Sequence, residues 1–370
     1  ADSLRMTLNM RNSQYATYKN YTHKMSVGVR YNSKNLQFHA AVNFEPRKTK
    51  LEYQKDRLDT VVTRNVFNVS PNVRLRYKIS NTSEMNIRYR GSSSQPSMTD
   101  LLDVTDDSNP LYISKGNPGL KPSWNNYFEL FYNNYIVKSQ TGWMARLTFN
   151  QTSNSISNAM HYDENTGVRT TRPENINGNW NTDGDFMFNT SFGKNKNWTI
   201  GSYTGYNYSN NVGYVSTGND TTSSKNTTKN LTLREHLRLT FRTGLFEFGV
   251  RGGVSYQHAK NELQTNANLD TWNFNYGGEL NVTLPWNMQL STDIRMNSRR
   301  GYADHSMNTN ELIWNAQIAQ SFLKGNAATL SLQFYDILHN QSNVSRSITA
   351  QMRSDSWNNS INSYFMLNFI

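Results

Sequence analysis

Apolar and polar residues alternate with a period of two along most of this chain. In residues 73–79, apolar side chains alternate with arginine and lysine, and in residues 231–241 a leucine-rich row stands against threonine, arginine and histidine. Only Glu235 interrupts that apolar row. Because a period of two puts successive side chains on opposite faces of a β-strand, the pattern predicts strands with one apolar and one polar face.

Two further segments, residues 272–284 and 286–296, repeat this alternation on either side of Pro285 and predict a hairpin. Their polar faces carry asparagine, glutamine and charged side chains. Such a face suits solvent or a wet interior, since burying it in a second packed core would carry a large desolvation cost. The expected fold class is therefore all-β and antiparallel.

The predicted strands are long, and their connections alternate between short and long. Short connections are expected at 32–35, 80–83, 139–142, 193–197, 243–244, 285–286 and 324–326, and long ones at 45–60, 91–124, 161–167, 212–228, 258–270, 297–308 and 338–356. This alternation is typical of a transmembrane up-and-down antiparallel β-barrel, whereas a Greek-key sandwich would mix crossing connections with hairpins. With a weaker strand at residues 4–12, about sixteen spans are counted.

Three tryptophans stand directly beside predicted short turns: Trp143, Trp198 and Trp286. A barrel would place them in an aromatic girdle at the membrane interface, and a soluble sheet would use them to cap its end. Three equivalent positions favour the girdle.

Composition is compatible with this picture. Hydrophobic residues make up 36%, aromatic residues 12%, and mean hydropathy is -0.76, as expected when only one face of each strand is apolar. The chain has no cysteine, so it has no disulfide. The net charge of +11 is spread along the chain, which argues against nucleic acid as a partner and suits lipid phosphates or an anionic solute.

Enzymatic and metal-binding signals are weak. The seven histidines are scattered without an HExxH or His-x-His pair, so no catalytic residue is assigned, the chain is not expected to be an enzyme, and no cofactor is expected. Aspartates at 100, 103, 106 and 107 lack the glycine and glutamate of an EF-hand, and we interpret them as a solvated acidic loop without a metal. Polar-face arginines such as Arg74, Arg76, Arg234 and Arg238 could line a lumen, form ion pairs or contact lipid phosphates.

Residues 109–122, NPLYISKGNPGLKP, interrupt the alternation with three prolines and two glycines, inside an expected long surface loop at 91–124. The residues that mark this segment are Asn109, Pro110, Gly116, Asn117, Pro118, Leu120, Lys121 and Pro122. They resemble the loop-to-strand signature of the barrel in TonB-dependent receptors, in particular the outer-membrane protein β-barrel family. The family commonly has an acidic or polar residue just after the Lys-Pro, and this chain has Ser123 and Trp124 there instead, which is a minor departure. The C-terminal Tyr335-Asp336-Ile337-Leu338, with Asn340, Asn343, Ser345, Arg346 and a closing aromatic strand, is similar to the end of the same family.

The resemblance implies an outer-membrane barrel spanning residues 1–370, whose loops capture a scarce solute such as a siderophore, metal complex, glycan or peptide. Receptors of this kind have about 22 strands and an N-terminal plug that receives energy from the TonB complex. No plug or TonB-contacting motif is recognised, so we expect either the C-terminal part of a longer receptor or, less favoured, a complete smaller barrel. The signature residues are expected to shape a loop, and the residues that bind solute are not identified.

The implied partners are outer-membrane lipid and lipopolysaccharide, the TonB complex through a plug outside this chain, a surface lipoprotein acting as a lid, and a small solute. Two other functions stay open at this point. One is a passive porin-type diffusion channel, and the other is a soluble β-rich adhesin or carbohydrate-binding protein.

Overall fold

The computed structural model describes residues 13–55, 58–163, 165–215, 223–265, 268–302, 305–341, 344–348, 353–358 and 361–369. These residues form 22 strands and one turn of 3-10 helix at His305–Met307. In chain order the strands are β1 (Gln14–Thr22), β2 (Met25–Asn32), β3 (Leu36–Lys55), β4 (Leu58–Ser80), β5 (Ser83–Ser94), β6 (Thr105–Asn109), β7 (Tyr112–Lys115), β8 (Ser123–Ile136), β9 (Thr141–Ser153), β10 (Ser155–Asp163), β11 (Val168–Ile176), β12 (Asn179–Phe192), β13 (Trp198–Val215), β14 (Ser224–Arg242), β15 (Phe246–Asn261), β16 (Leu269–Thr283), β17 (Met288–Arg300), β18 (Asn310–Phe322), β19 (Ala328–Tyr335), β20 (Val344–Ile348), β21 (Arg353–Trp357) and β22 (Tyr364–Phe369).

Sixteen of these strands form one antiparallel sheet, in the order β1, β3, β4, β5, β8, β9, β12 to β19 and β22, with β2 also paired to β3. Neighbours in the sheet follow one another along the chain, apart from the small strands inserted in three connections. The prediction of an all-β, up-and-down antiparallel fold is confirmed. Within the described residues, β1 and β2 pair only with β3, and β22 pairs only with β19, so this ladder has two free edges.

About sixteen spans were predicted and the sheet has sixteen strands, but two of these strands, β1 and β2, together make one span. Strands β1 and β2 pair with successive halves of β3, and the interruption between them lies opposite Pro46. Because proline has no amide hydrogen, it cannot donate to the ladder there. The amide of His23 instead donates to the Pro46 carbonyl at 3.1 Å. The strand predicted at residues 4–12 lies outside the described residues.

The short turns occur where the alternation predicted them, and several contain residues with positive φ: Gln140, Gly193, Lys196, Asn287, Gly325 and Asn326. One predicted long connection was wrong. Residues 45–60 belong almost entirely to β3 and β4, and the two strands are joined across residues 56 and 57. The prediction failed because the polar face of β3 becomes apolar at Leu51 and Tyr53, which breaks the alternation of apolar and polar residues expected of a membrane-spanning strand.

The expected long loop at 91–124 is shorter at both ends and carries its own strands. Strand β5 continues to Ser94 and β8 starts at Ser123, so the connection is residues 95–122, which we call the covering loop. Its strands β6 and β7 join the β10–β11 hairpin in a four-stranded sheet, in which β11 and β7 run parallel. Two connections far apart in sequence therefore form one unit at the long-connection end of the main sheet.

A small hydrophobic core holds the covering loop against the main sheet. Leu51 and Tyr53 of β3 are buried with four residues of the loop, Met98, Leu101, Leu102 and Leu120, and Val62 and Val104 pack at its margin. Leu51 and Tyr53 belong to the same face of β3 as His39, because odd-numbered residues share a face of this strand. The loop therefore covers the long-connection half of the polar face on β3 and β4.

The opposite, apolar face of the main sheet carries two ladders of aromatic rings. At the long-connection end, rings 4.6 to 6.4 Å apart run from Tyr89 through Phe128, Phe149 and Trp180 to Tyr208. At the short-turn end, Phe192, Trp198, Phe241 and Phe246 form the second ladder, with separations of 4.7 to 6.2 Å. Trp198 thus lies in a ring ladder as the girdle interpretation expects. Trp143 is the third residue of β9, and Trp286 lies in a turn.

The two ladders are separated by a distance that suits a membrane. About ten residues of β13 lie between Trp198 and Tyr208, or roughly 33 Å along a strand. A strand tilted by about 35–45° then spans roughly 23–27 Å, close to the height of the apolar band of an outer-membrane barrel. Between the ladders the Thr204 hydroxyl donates to the Glu235 carboxylate at 2.5 Å, which gives the single acidic interruption of this row a polar partner. No helix among the described residues is long and apolar enough to cross a bilayer.

Candidate functional site: the polar face and its covering loop

The polar face of β9 to β18 is a network in which arginines meet carboxylates. Four arginines, Arg146, Arg242, Arg251 and Arg299, pair with Asp185, Glu247, Glu279 and Glu311 respectively, and Arg238 pairs with Glu279 as well. Asp185 also accepts a hydrogen bond of 2.6 Å from the Tyr203 hydroxyl. Most arginines of this part of the wall are therefore neutralised by carboxylates, but among the described residues Arg234 and Arg295 have none at salt-bridge distance.

Glu279 is the centre of the network. Its carboxylate contacts Arg238 and lies 3.6 Å from Arg251, which in turn lies 3.7 Å from Asp293. Arg238 reaches Glu279 from two strands away, over Gly249. A Cβ atom at residue 249 would lie 2.8 Å from the carboxylate oxygen, so glycine makes room for the interaction.

A cavity of about 560 Å³ lies beside this network on the polar face. Its walls include Met144, Met187, Tyr203, His236 and Arg238, and the Tyr203 and His236 rings stack with centroids 6.0 Å apart. Glycines in the lining, such as Gly142 and Gly201, leave the cavity open. A second cavity, of about 390 Å³, continues from Arg251 toward Asp293, Asn315 and Gln333. Apolar, aromatic and charged groups are thus presented together along one wall, a combination typical of small-molecule binding sites.

The polar face of β2 to β5 has a different charge balance. The strand register puts Arg30, His39, Arg74, Arg88 and Glu129 in one row across five neighbouring strands. Arg88 lies 3.5 Å from Glu129 and Arg76 is held by Glu84. Within the described part of the chain, neither Arg30 nor Arg74 has a carboxylate at salt-bridge distance.

The signature residues lie in and beside the covering loop, and they meet each other through its turns. Pro110 and Leu111 form the turn between β6 and β7, where the Asn109 side chain accepts the Leu111 amide at 3.1 Å. Pro118 and Gly119 form a second turn, closed by a hydrogen bond of 3.2 Å from the Leu120 amide to the Asn117 carbonyl. Pro122 directly precedes β8, a position where the missing amide hydrogen costs no ladder bond.

Gly116 and Leu120 fix this loop by packing. A Cβ atom at residue 116 would lie 1.7 Å from the Leu102 carbonyl oxygen, so only glycine allows this close approach of two backbone segments. Leu120 is 4% exposed and belongs to the core with Leu51 and Tyr53. These two signature residues therefore determine how the loop lies on the sheet.

Asn117 and Lys121 fix the loop through hydrogen bonds to the β10–β11 hairpin. The Asn117 side chain donates to the Pro173 carbonyl at 2.9 Å and accepts from the Gly119 amide and from Arg172. The Lys121 backbone exchanges two hydrogen bonds, of 2.7 and 2.9 Å, with the Asn175 side chain. In the described residues these contacts are all internal to the protein.

The C-terminal motif also has a local structural basis. The Asp336 carboxylate, 1% exposed, accepts the amides of Asn340 and Gln341 at 3.2 and 2.9 Å and so closes the turn after β19. The Asp336 amide donates to the Asn315 side chain. Ser345 and Arg346 lie in β20, and Asn343 lies outside the described residues.

Sequence reasoning missed the partners of these residues. Glu279 and Asp293 were on the predicted polar face, but their contacts with Arg238 and Arg251 depend on strand register. Asn175 carries no sequence signal for its contact with Lys121, since it lies 54 residues away. Of the acidic loop aspartates, Asp106 pairs with Lys55 at 2.6 Å.

A family model described as "Outer membrane protein beta-barrel family" matches residues 3–250 and 243–370 of this chain. The chain belongs to the outer-membrane protein β-barrel family. A search of curated proteins and a search of solved structures found no match. Membership confirms the resemblance to the outer-membrane protein β-barrel family and the barrel fold class, and the protein is located in the bacterial outer membrane.

Membership in this barrel family indicates which environment each face of the sheet contacts. The apolar face with its aromatic ladders contacts lipid, and the polar face lines the interior. Family membership also indicates a transport or channel role in the outer membrane. The cavities and charge networks described above are therefore features of the inner wall.

Proposed function

We propose that this chain is the barrel wall of a TonB-dependent active importer for a scarce solute, such as a siderophore, metal complex, glycan or peptide. In this mechanism the long connections capture the solute outside the cell, and energy delivered through a plug opens a path along the inner wall. The TonB complex would act through that plug. Lipopolysaccharide would contact the apolar face, and a surface lipoprotein could close the long-connection end.

The observation that carries the proposal is the signature at residues 109–122, because of where its residues hold the covering loop. Its glycine, asparagine and leucine hold the covering loop against the polar side of β3 and β4, at the end where a solute arrives. The same segment resembles the loop-to-strand signature of TonB-dependent receptors, which supports the importer over a simple diffusion pore. The signature residues would then shape the mouth, while solute would contact the inner wall, including Tyr203, His236 and Arg238.

The test is energy dependence of uptake by the full-length protein. A candidate solute is supplied to cells that express the protein with and without a functional TonB complex, and its accumulation is measured. We expect accumulation only with TonB and a proton gradient. Accumulation that continues without both would contradict the importer.

The alternative with support in the structure is a passive porin, because the inner wall is polar and contains open cavities. Planar-bilayer recording distinguishes the two functions. A steady ion conductance of the isolated full-length protein, without an energy source, would establish the porin instead of the importer.

A further inference from the structure

We infer that Arg30, His39, Arg74 and Arg76 form a binding site on the inner wall for a small solute that carries a phosphate or carboxylate group. The inference goes beyond the proposed function, because it concerns this part of the wall whether passage through the barrel is active or passive.

The strand register brings the cationic groups together. Arg30 on β2 lies opposite His39 on β3, and His39 lies opposite Arg74 on β4. Directly opposed residues have Cβ atoms about 4.5–5.5 Å apart, so the two guanidinium groups extend into one space with the imidazole between them. Arg76 lies two residues further along β4, on the same face.

These groups surround a cavity of about 390 Å³, to which Asn32 and Gln37 add amide groups. The amides and guanidiniums all provide N–H donors, and the part of the cavity lining that the structure describes includes no aspartate or glutamate. A set of donors without a carboxylate is complementary to an oxyanion, since phosphate and carboxylate oxygens accept several hydrogen bonds at once.

The arginines of this site differ in whether a carboxylate neutralises them. Arg76 donates hydrogen bonds from Nε and Nη2 to the Glu84 carboxylate, at 3.0 and 2.6 Å, which fixes the plane of its guanidinium. Arg30 and Arg74 have no such partner among the described residues, and both are exposed to the cavity. Two unneutralised guanidiniums near each other repel, and a bound oxyanion removes that repulsion.

The position of the site indicates where along the barrel interior a solute would meet it. Arg30 and Arg76 are near the short turns at residues 33–35 and 81–82, so the site is at the end of the wall opposite the covering loop. A lipid phosphate is not the expected ligand, because the four residues lie on the polar face. A solute that moves along the interior would meet this site close to the short-turn side.

The test measures binding of inorganic phosphate, pyrophosphate and citrate to the full chain in detergent micelles by equilibrium dialysis at low salt. We expect saturable binding of at least one probe. Preference for phosphate or pyrophosphate over citrate would identify a phosphorylated solute, and the reverse preference a carboxylate solute.

The variant is Arg30→Gln/Arg74→Gln, and the matched control is Arg242→Gln/Arg299→Gln, which removes two arginines that are paired with Glu247 and Glu311 in the neutralised part of the wall. We expect the first variant to bind roughly tenfold more weakly for each guanidinium removed, and the control to bind like the wild type. The far-ultraviolet circular dichroism spectrum verifies that both variants retain the sheet.

Three results would overturn the inference. They are the absence of saturable binding for all three probes, equal binding by wild type and the Arg30→Gln/Arg74→Gln variant, and equal weakening in both double variants. The last result would mean that the probes respond only to the overall positive charge.

Discussion

Two sectors of the same inner wall differ in whether their arginines are paired with carboxylates. In β9 to β18, which we call the neutralised sector, arginines such as Arg146, Arg238 and Arg251 meet carboxylates on adjacent or next-nearest strands. In β2 to β5, which we call the cationic sector, Arg30 and Arg74 face a cavity without a carboxylate. Most arginines of the first sector are neutralised within it, whereas the arginine pair of the second sector faces a cavity whose described lining supplies no carboxylate.

The sectors also differ in how they are covered. The long-connection half of the cationic sector lies beneath the covering loop and its hydrophobic core, while the neutralised sector borders open cavities. The cationic sector thus combines a covered long-connection end with an unneutralised arginine pair, whereas the neutralised sector combines paired charges with open cavities.

The largest expected effect comes from removing the cover of the cationic sector. Leu120→Ala deletes a side chain that is 4% exposed from a core of six residues, and such deletions cost about 2–4 kcal/mol. We expect the covering loop to detach from Leu51 and Tyr53 while the main sheet stays folded. Limited proteolysis should then cut residues 95–122 much faster.

The control for this variant is Leu111→Ala in the same loop, because Leu111 is 56% exposed. Its proteolysis should match that of the wild type. Equal cleavage of the Leu120→Ala variant and the wild type would show that the core does not hold the loop.

The second prediction concerns the neutralised sector. Glu279→Gln leaves Arg238 and Arg251 without their shared carboxylate, and we expect the free energy of unfolding to fall by about 1 kcal/mol, since the guanidiniums are partly exposed. Urea unfolding in micelles, followed by tryptophan fluorescence, measures this change.

Adding Arg238→Gln to Glu279→Gln should recover part of the loss, because one unpaired charge is then removed. A double-mutant cycle gives the coupling energy directly. A coupling energy of zero would mean that the contact contributes nothing to the stability of this sector.

A smaller effect is expected for Arg74→Gln in the cationic sector. Because Arg74 has no carboxylate partner among the described residues, it contributes repulsion and no ion pair there, so stability should change by less than about 0.5 kcal/mol or increase slightly. The same urea titration measures it. If Arg74→Gln destabilised the protein more than Glu279→Gln, the distinction between the two sectors would be wrong.

The smallest effect is a pH dependence at the tip of the β10–β11 hairpin, which bonds to the covering loop. A hydrogen bond of 2.8 Å from the Thr166 hydroxyl, followed by the Asn165 amide, lowers the pKa of the Asp163 carboxyl. A lowered pKa in the folded state means that this stabilisation is present above the unfolded pKa of about 3.9 and is lost as pH falls through the folded value.

We therefore expect amide hydrogen exchange at Asn165 and Gly167 to accelerate below about pH 4 relative to neighbouring hairpin amides. After Asp163→Asn, this extra acceleration should be absent. An unchanged pH profile in that variant would assign the effect to another group.

Local sequence patterns predicted the parts of this fold that depend on local interactions. Alternation and turn residues located nearly all the main strands and short turns, because side-chain direction and turn geometry are set within a few residues. The exception at residues 45–60 has a nonlocal cause, since Leu51 and Tyr53 are apolar on the polar face in order to pack with Met98 and Leu120.

The site was less predictable for the same reason. The signature at residues 109–122 identified the family, but not the hydrogen bonds between Lys121 and Asn175 or the parallel pairing of β7 and β11. The arginines of the polar face were recognised as a set. Which of them are neutralised depends on register between strands, as for Arg238 and Glu279, 41 residues apart.

The spacing of the two aromatic ladders also determines which bilayer this wall fits. A rise of roughly 23–27 Å between Trp198 and Tyr208 is less than the hydrocarbon thickness of about 30 Å of an average membrane. In vesicles made from long-chain phospholipids the acyl chains around β13 would have to compress, at a cost for every ångström of mismatch. Lipids with shorter acyl chains are therefore the natural host for reconstitution of this protein.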